Sequence, residues 1–173
     1  MHSAPTTSPA TSTALGAAPA IAPGPYRSKT LATWLGLVGG PLGLHRFYLG
    51  GLGDVWGWLH PLPTLLGLWG LRRMDQLGQD DRLAWLLLPL LGLTFATAML
   101  QTILIGLTPD ERWHARHNPA LAGRADAPAA GWGAVIPVIL ALILGAGVLM
   151  ATIAFSGQRY FEYQVEEALK ISQ

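Results

Sequence analysis

The amino-acid sequence predicts an all-α integral membrane protein, a bundle of four transmembrane helices with a disordered N-terminal tail and an amphipathic C-terminal helix. Hydrophobic residues make up 51% of the 173 residues and charged residues only 12%, about half the charged share that is usual in a soluble domain. In addition, two uncharged apolar stretches are long enough to cross the roughly 30 Å of hydrocarbon in a bilayer. Both observations favour lipid over water as the solvent.

Charge and cysteine content exclude several classes of function. The formal net charge is +1 and the basic residues are scattered along the chain, so the sequence lacks the basic patch that binds nucleic acid. The chain contains no cysteine, which excludes disulfide bonds, iron–sulfur clusters and thiolate metal sites. We expect no cofactor and no nucleic-acid partner.

The first 25 residues consist mainly of Ala, Pro, Thr, Ser and Gly and contain no Lys or Arg. Such a segment buries little apolar surface, so it is predicted to be a disordered tail. It also lacks the basic region of a secretory signal and the arginines of a transit peptide. We expect the first membrane span to direct insertion, and the lack of an organelle signal favours a bacterial inner membrane.

Four apolar stretches follow, over residues 31–44, 55–71, 83–107 and 132–155. The last two contain no Asp, Glu, Lys or Arg and have the length of a membrane span. The first two are shorter, but tryptophans at their margins are typical of helices that end at a membrane interface. Residues 26–78 are therefore predicted to form a helical hairpin, and residues 79–157 two further spans with a polar loop.

Glycines and prolines give these spans local features. Gly36 and Gly40 are four residues apart, a spacing that lets helix backbones approach closely, although 21 glycines in the chain produce such spacings by chance. Pro61 and Pro63 lack backbone donors, so they should break or kink the second span near His60.

Basic residues give a prediction of orientation. Seven lie on one side of the predicted spans and four on the other, and the positive-inside rule then places both termini and the loop over residues 72–82 in the cytoplasm. The seven are Arg27, Lys29, Arg72, Arg73, Arg82, Arg159 and Lys170, and the four are Arg46, Arg112, Arg116 and Arg124.

The segment between the first two stretches is the most specific in the chain, and it contains His45, Arg46, Phe47, Tyr48 and Gly50. It is predicted to be a short loop at the membrane surface. Its arginine side chain would extend towards phosphate headgroups, and its aromatic rings would lie at the acyl boundary.

These residues resemble a known family. Lys29, the glycine-rich span, the run GLHRFYLG and a second span ending at Asp75 are similar to the two-transmembrane-helix (TM-two) domain family over residues 26–78. The resemblance implies a membrane location and a helical hairpin, and it brings no established activity. The chain departs from the family pattern at Pro61 and Pro63, and at Arg72 and Arg73 before the terminal aspartate.

Three polar residues, Asp54, His60 and Gln101, lie in or near the predicted spans. Asp54 is either interfacial, which we favour, or turned inward towards Arg46. His60 is expected to satisfy backbone groups freed by the prolines, and Gln101 to hold helices together. Asp75 is expected to pair locally with Arg72 or Arg73, or to cap the helix end.

A metal site is the weaker interpretation of the histidines. Glu111, His114 and His117 would share one face of a helix, but nearby arginines oppose a cation and no further ligand is indicated. Residues 158–173 have the pattern of an amphipathic helix. That helix would continue the last span, lie on the membrane or contact a partner.

The sequence contains no catalytic constellation, so a non-enzymatic role is expected. A scaffold or accessory subunit would act through helix contacts in the lipid bilayer, with a membrane-protein partner or as a homo-oligomer. The alternative is a small oligomeric transporter or channel, in which Asp54, His60 and Gln101 would line an aqueous path.

Overall fold

The computed structural model describes residues 25–172, and the regular structure in this part of the chain is entirely helical, as predicted. The helices are α1 (Lys29–Gly39), α2 (Leu44–Gly50), α3 (Val55–Trp58), α4 (Pro61–Leu77), α5 (Arg82–Leu107), α6 (Asp110–His117) and α7 (Gly131–Ile171). Short 3₁₀ turns occupy Gly40–Leu42 and Pro119–Leu121. The predicted tail over residues 1–25 lies outside the described residues, apart from Pro25.

Helix α5 is the centre of the fold and contacts α1, α4 and α7. Small residues make this possible, because a Cβ atom at Gly67 or Gly70 of α4 would overlap Leu91 or Leu87 of α5. The order of these pairs shows that α4 runs antiparallel to α5. Helices that approach this closely gain van der Waals contact along their whole interface.

The core lies where α5 meets α7 and α1. Ala98, Met99 and Ala141 are fully buried there, and a Cβ atom at Gly145 would lie only 2.7 Å from the Cβ of Met99. The buried core of the described residues consists mostly of small side chains, because the helices pack through Ala and Gly and turn many large side chains outward. Leu86 is 71% exposed and Ile143 is 64% exposed.

Only α5 and α7, among the helices described, are long and apolar enough to cross a membrane by length and composition. The prediction of four such helices is therefore corrected to two. Helix α1 has 11 residues and is about 17 Å long, too short to span, and α4 ends in a charged segment that includes Arg72, Arg73 and Asp75.

The first apolar stretch reverses direction instead of crossing the bundle. Helix α1 ends at Gly39, and Gly43 takes a left-handed conformation with φ of 75° that starts α2 on the return course. The side chain of Arg27 then donates to the backbone carbonyl of Tyr48, and the backbone N–H of Ser28 donates to the Tyr48 hydroxyl at 2.8 Å. The start of α1 and the end of α2 consequently lie together.

The expected surface loop over His45, Arg46, Phe47, Tyr48 and Gly50 is thus corrected to a helix, α2. After it the chain turns, and Asp54 caps the short helix α3 by accepting a hydrogen bond from the N–H of Trp56 at 3.0 Å. Helix α3 ends at Trp58 and α4 begins at Pro61, so the predicted break near His60 is confirmed.

These contacts define two ends of the bundle. The Lys29 end contains the start of α1, the end of α2, the end of α5, helix α6 and the start of α7, and the Arg73 end contains the end of α4 and the start of α5. Arg27, Lys29 and Arg46 therefore share one end, contrary to the predicted orientation. Six of the eleven Lys and Arg residues belong to the Lys29 end and five to the Arg73 end, so charge no longer favours either orientation.

The amphipathic C-terminal segment continues α7 without interruption to Ile171. Arg159 fixes its path beyond the apolar part, because its guanidinium donates to Glu162 at 2.7 Å and to Gln79 at 2.9 Å. The same group lies 5.5 Å from the ring centroid of Trp85. The extended helix is thereby attached to the α4–α5 connection.

Candidate binding cavity

Three polar side chains, His45, His60 and Gln101, meet inside the bundle towards the Lys29 end. The distance from His45 Nε2 to Gln101 Oε1 is 2.8 Å, and that from Gln101 Nε2 to His60 Nε2 is 3.0 Å. The two imidazole rings stand edge to face with centroids 5.7 Å apart. The fold therefore joins two of the three predicted polar residues to the His45 motif, and Gln101 connects helices as expected.

The partners determine where each hydrogen lies. His60 Nδ1 is 3.0 Å from the carbonyl oxygen of Trp56, and a carbonyl oxygen only accepts, so Nδ1 donates. Nε2 of that ring then accepts from the amide group of Gln101. The amide oxygen of Gln101 consequently faces His45 and accepts from its Nε2.

This chain of hydrogen bonds leaves one atom without a partner. His45 is 1% exposed, and its Nδ1 has no hydrogen-bond partner among the described residues. Since Nε2 carries the hydrogen, Nδ1 is an acceptor. A buried acceptor without a donor is energetically unfavourable, so this nitrogen is the unsatisfied end of the hydrogen-bond chain.

A cavity of about 490 Å³ lies beside this ring. Its walls come from α2, the turn before α3, the last two turns of α5, and α6. The lining residues are His45, Arg46, Leu49, Gly50, Asp54, Gln101, Leu104, Ile105, Thr108, Arg112, Trp113, Arg116 and His117. The cavity combines three arginines and one carboxylate with an apolar wall.

Arg46 and Asp54 form an ion pair inside this cavity, with Nε and Oδ2 3.0 Å apart. The inward alternative for Asp54, which the sequence disfavoured, is therefore the one observed. Partial burial raises the pKa of Asp54, but the hydrogen bond and charge of Arg46 and two backbone N–H groups outweigh it and lower the pKa below its ordinary value. The carboxylate is ionised at neutral pH and neutralises one of the three arginines.

Helix α6 closes the cavity because it is attached to the start of the described chain. The Trp113 indole and the Asn118 amide both donate to the backbone carbonyl of Arg27, at 2.8 and 3.0 Å, and Asn118 Oδ1 accepts from the N–H of Arg27 at 2.7 Å. These contacts fix the face of α6 that carries Arg112 and Arg116. Burial and the charges of Arg116 and Arg27 lower the pKa of His117, so this ring is neutral at pH 7.

The remaining motif residues support the architecture. Phe47 stacks edge to face on Trp58 with centroids 5.1 Å apart, and Tyr48 holds the start of α1. A Cβ atom at Gly50 would lie 3.1 Å from Asp54, so glycine leaves room for the ion pair.

Asp75 lies apart from the cavity, exposed on α4. The expected local pairing of Asp75 is corrected, because Arg73 instead forms two hydrogen bonds to Asp81 at 2.8 and 3.0 Å, and Asp75 has no ion pair within residues 25–172.

The metal interpretation gains no support from the geometry. The part of the chain that the structure describes contains no group of three or more His, Asp or Glu residues placed to hold a metal ion. His114 is occupied by the Pro128 carbonyl at 2.9 Å and by Asn118 at 3.2 Å, and His117 packs against Trp113. Glu111 is exposed on α6.

Sequence reasoning missed the contribution of α6 to the cavity. Arg112 and Arg116 are four residues apart and therefore share one helix face. This spacing indicates a basic face but does not indicate which other helices lie opposite it. That His45 and Arg46 lie opposite it depends on the reversal of the chain at Gly43.

The described residues form an all-helical fold with two candidate membrane-spanning helices and a polar cavity at one end. No family model matches the chain, and no curated protein and no solved structure matches it either. The similarity to the TM-two family stays a prediction from the motif.

Proposed function

We propose that this protein is a non-enzymatic, multi-pass membrane protein that acts as a scaffold or accessory subunit through helix contacts within the bilayer. The main observation behind this proposal is the exposed apolar surface of α7. Only 17% of its most apolar 18-residue window is buried in the described structure, and its packing partners there are α5 and α1. So much exposed apolar surface requires lipid or other helices around it.

In this proposal the chain crosses the membrane three times. Helices α5 and α7 cross as continuous helices, and α3 with α4 forms a broken crossing of 23 residues from Val55 to Leu77. Helices α1 and α2 enter and return at the Lys29 end as a re-entrant hairpin, and α1 packs with one face on α5 and α7. The TM-two resemblance supports the membrane location of residues 26–78.

The absence of cysteine makes the topology testable with single cysteines and a membrane-impermeant maleimide. Cysteines at Tyr26 and Ala122 should react from one side of intact vesicles, and cysteines at Gln79 and Ser172 only from the other. Reaction of Tyr26→Cys and Gln79→Cys from the same side would contradict the re-entrant hairpin. Recovery of the protein in the soluble fraction after alkaline carbonate washing would contradict membrane integration.

The exposed face of α7 also carries a site for close approach of another helix. Gly147 and Ala151 are exposed and four residues apart, and a Cβ atom at Gly147 would meet nothing within 4 Å. Small residues at this spacing favour helix association in lipid. Gly147→Leu should abolish cross-linking of the protein to its partner or to itself in membranes, whereas the neighbouring Ala146→Leu should not.

The transporter alternative is favoured by one observation, the meeting of His60 and Gln101 beside a cavity that contains Asp54. The polar path stops there, because beyond Thr64 the residues Gly67 and Gly70 pack directly on α5. A pore would therefore need a second copy of the chain or a rearrangement. Ion flux in proteoliposomes that disappears in Asp54→Asn and Gln101→Leu would establish transport. If the wild-type protein shows no flux, the transporter alternative is wrong and the cavity is a binding site only.

A further inference from the structure

The charge of the cavity is unbalanced. Arg46, Arg112 and Arg116 line it, and Asp54 is the one carboxylate among its lining residues. With His45 and His117 neutral, the lining carries two net positive charges. A cavity lined by an excess of one charge attracts ligands of the opposite charge.

We propose that this cavity binds a phosphate-bearing anion, with Arg112 and Arg116 of α6 as its principal ligands and Arg46 as a third. The guanidinium group is planar and presents parallel N–H donors that match two phosphate oxygens. Arg112 and Arg116 stand one turn apart on the same face of α6, and neither forms an ion pair within residues 25–172. Both are exposed on α6 and line the same cavity.

The other walls add selectivity. The His45 ring lines the cavity beside the arginines, and its Nδ1 is a buried acceptor without a donor. Leu104 and Ile105 form an apolar wall beside the charged one. A volume of about 490 Å³ accommodates a headgroup or a small phosphate ester and excludes a folded polypeptide.

This chemistry has two sources, the headgroup of an anionic phospholipid and a soluble phosphate. The lipid source rests on the proposed membrane location, because the cavity would then lie at the level of the headgroups. The soluble source does not depend on it. Testing both with the full-length protein in detergent therefore separates this inference from the topology experiment.

The first arm measures inorganic phosphate binding by equilibrium dialysis with ³²P-labelled phosphate. The second arm measures binding of phosphatidylglycerol and of phosphatidylcholine by native mass spectrometry of the same preparation. Saturable binding of phosphate identifies the soluble source, and binding of phosphatidylglycerol in preference to phosphatidylcholine identifies the lipid source. Each result supports the proposal.

The variants decide whether the cavity is responsible. Arg112→Gln/Arg116→Gln should raise the Kd about tenfold or more, since hydrogen bonds to charged groups are lost. Arg72→Gln removes another exposed arginine, at the Arg73 end, and should leave the Kd unchanged. Asp54→Asn keeps the shape and the helix cap but frees Arg46, so it should lower the Kd.

Three results would overturn the proposal. They are the absence of binding to both probes, equal binding of the two lipids together with no phosphate binding, and an equal loss of affinity in Arg72→Gln and in the double variant. Asp54→Asn is expected to lower the Kd, whereas the double arginine variant raises it. Misfolding cannot explain a lower Kd, because a misfolded cavity does not bind more tightly.

Discussion

The ammonium group of Lys29 forms an ion pair with the carboxylate of Asp110 and donates to the carbonyl oxygen of Thr108 at 2.9 Å. The lysine side chain is only 9% exposed, and the carbonyl is among those that the end of α5 leaves without a helical partner. One side chain thus joins the start of α1, the end of α5 and the start of α6. The cavity depends on this connection, because it fixes α6 over α2.

We expect Asp110→Asn to lower the melting temperature at pH 7. Partial burial raises the pKa of Asp110, but the hydrogen bond from Lys29, the N–H of Ala130 and nearby positive charge lower it below the ordinary 3.8. The stabilisation is therefore fully present above 3.8 and is lost as the pH falls through the lower folded-state pKa. Thermal denaturation in detergent should show that the difference in melting temperature between Asp110→Asn and the wild type becomes smaller as the pH is lowered from 7 to 3.

The control for that experiment is Asp126→Asn, which removes an exposed ion pair with Arg124. Exposed pairs contribute little, so its melting temperature should equal that of the wild type. If Asp110→Asn behaves in the same way, the ion pair with Lys29 does not hold α6.

Gln101→Leu should destabilise the protein by about 1 to 3 kcal/mol. The leucine keeps the volume but leaves His45 Nε2 and His60 Nε2 without partners. Thr97→Val is the matched control on α5, because the Thr97 hydroxyl bonds only to the carbonyl of Thr94 in its own helix. Unfolding in a graded denaturant should separate the two variants, and equal stability would show that Gln101 does not connect the histidines.

Gly36→Ala should cost about 1 to 3 kcal/mol through overpacking. The new methyl group would overlap the hydroxyl of Thr102 on α5. Adding Thr102→Ala removes that hydroxyl and should recover most of the loss, which a purely local effect of alanine on α1 would not allow. Gly147→Ala, in open space on α7, should be neutral or slightly stabilising because alanine is the better helix former.

Arg159→Gln should increase hydrogen exchange in residues 158–171 while leaving the apolar part of α7 protected. The substitution removes the contacts with Gln79, Glu162 and Trp85 that fix the extension. Lys170→Gln breaks an exposed pair with Glu167 and should leave exchange upstream unchanged. Equal protection in all three proteins would mean that the extension is held by other contacts.

The parts of the fold that the sequence predicts are those with a local physical cause. Helices α5 and α7 follow from long uncharged stretches, and the break at His60 follows from the missing donors of Pro61 and Pro63. Gly36 and Gly40 face α5 as their spacing indicates, since a Cβ atom at Gly40 would lie 2.9 Å from Ala98.

The course of the first stretch has no such local cause. Counting apolar residues treats residues 31–44 as one helix, whereas the turn at Gly40–Leu42 is stabilised by α4 and α5, for example by the hydroxyl of Thr64 donating to the Pro41 carbonyl at 2.6 Å. The run Gly39-Gly40-Pro41 was a helix-stop signal. This signal predicts where α1 ends but not that the chain then turns back. The cavity opposite α6 was not predictable either, because it depends on that reversal.

The reversal at Gly43 also affects the order in which contacts form during synthesis. The first hairpin packs on a surface of α5 that is synthesised much later, because 66 residues separate Gly36 from its contact Thr102. At about 5 to 20 residues per second a ribosome needs roughly 3 to 13 s to synthesise that interval. During those seconds the glycine face of the first hairpin, which Thr102 and Ala98 of α5 contact in the folded protein, has no α5 to pack against.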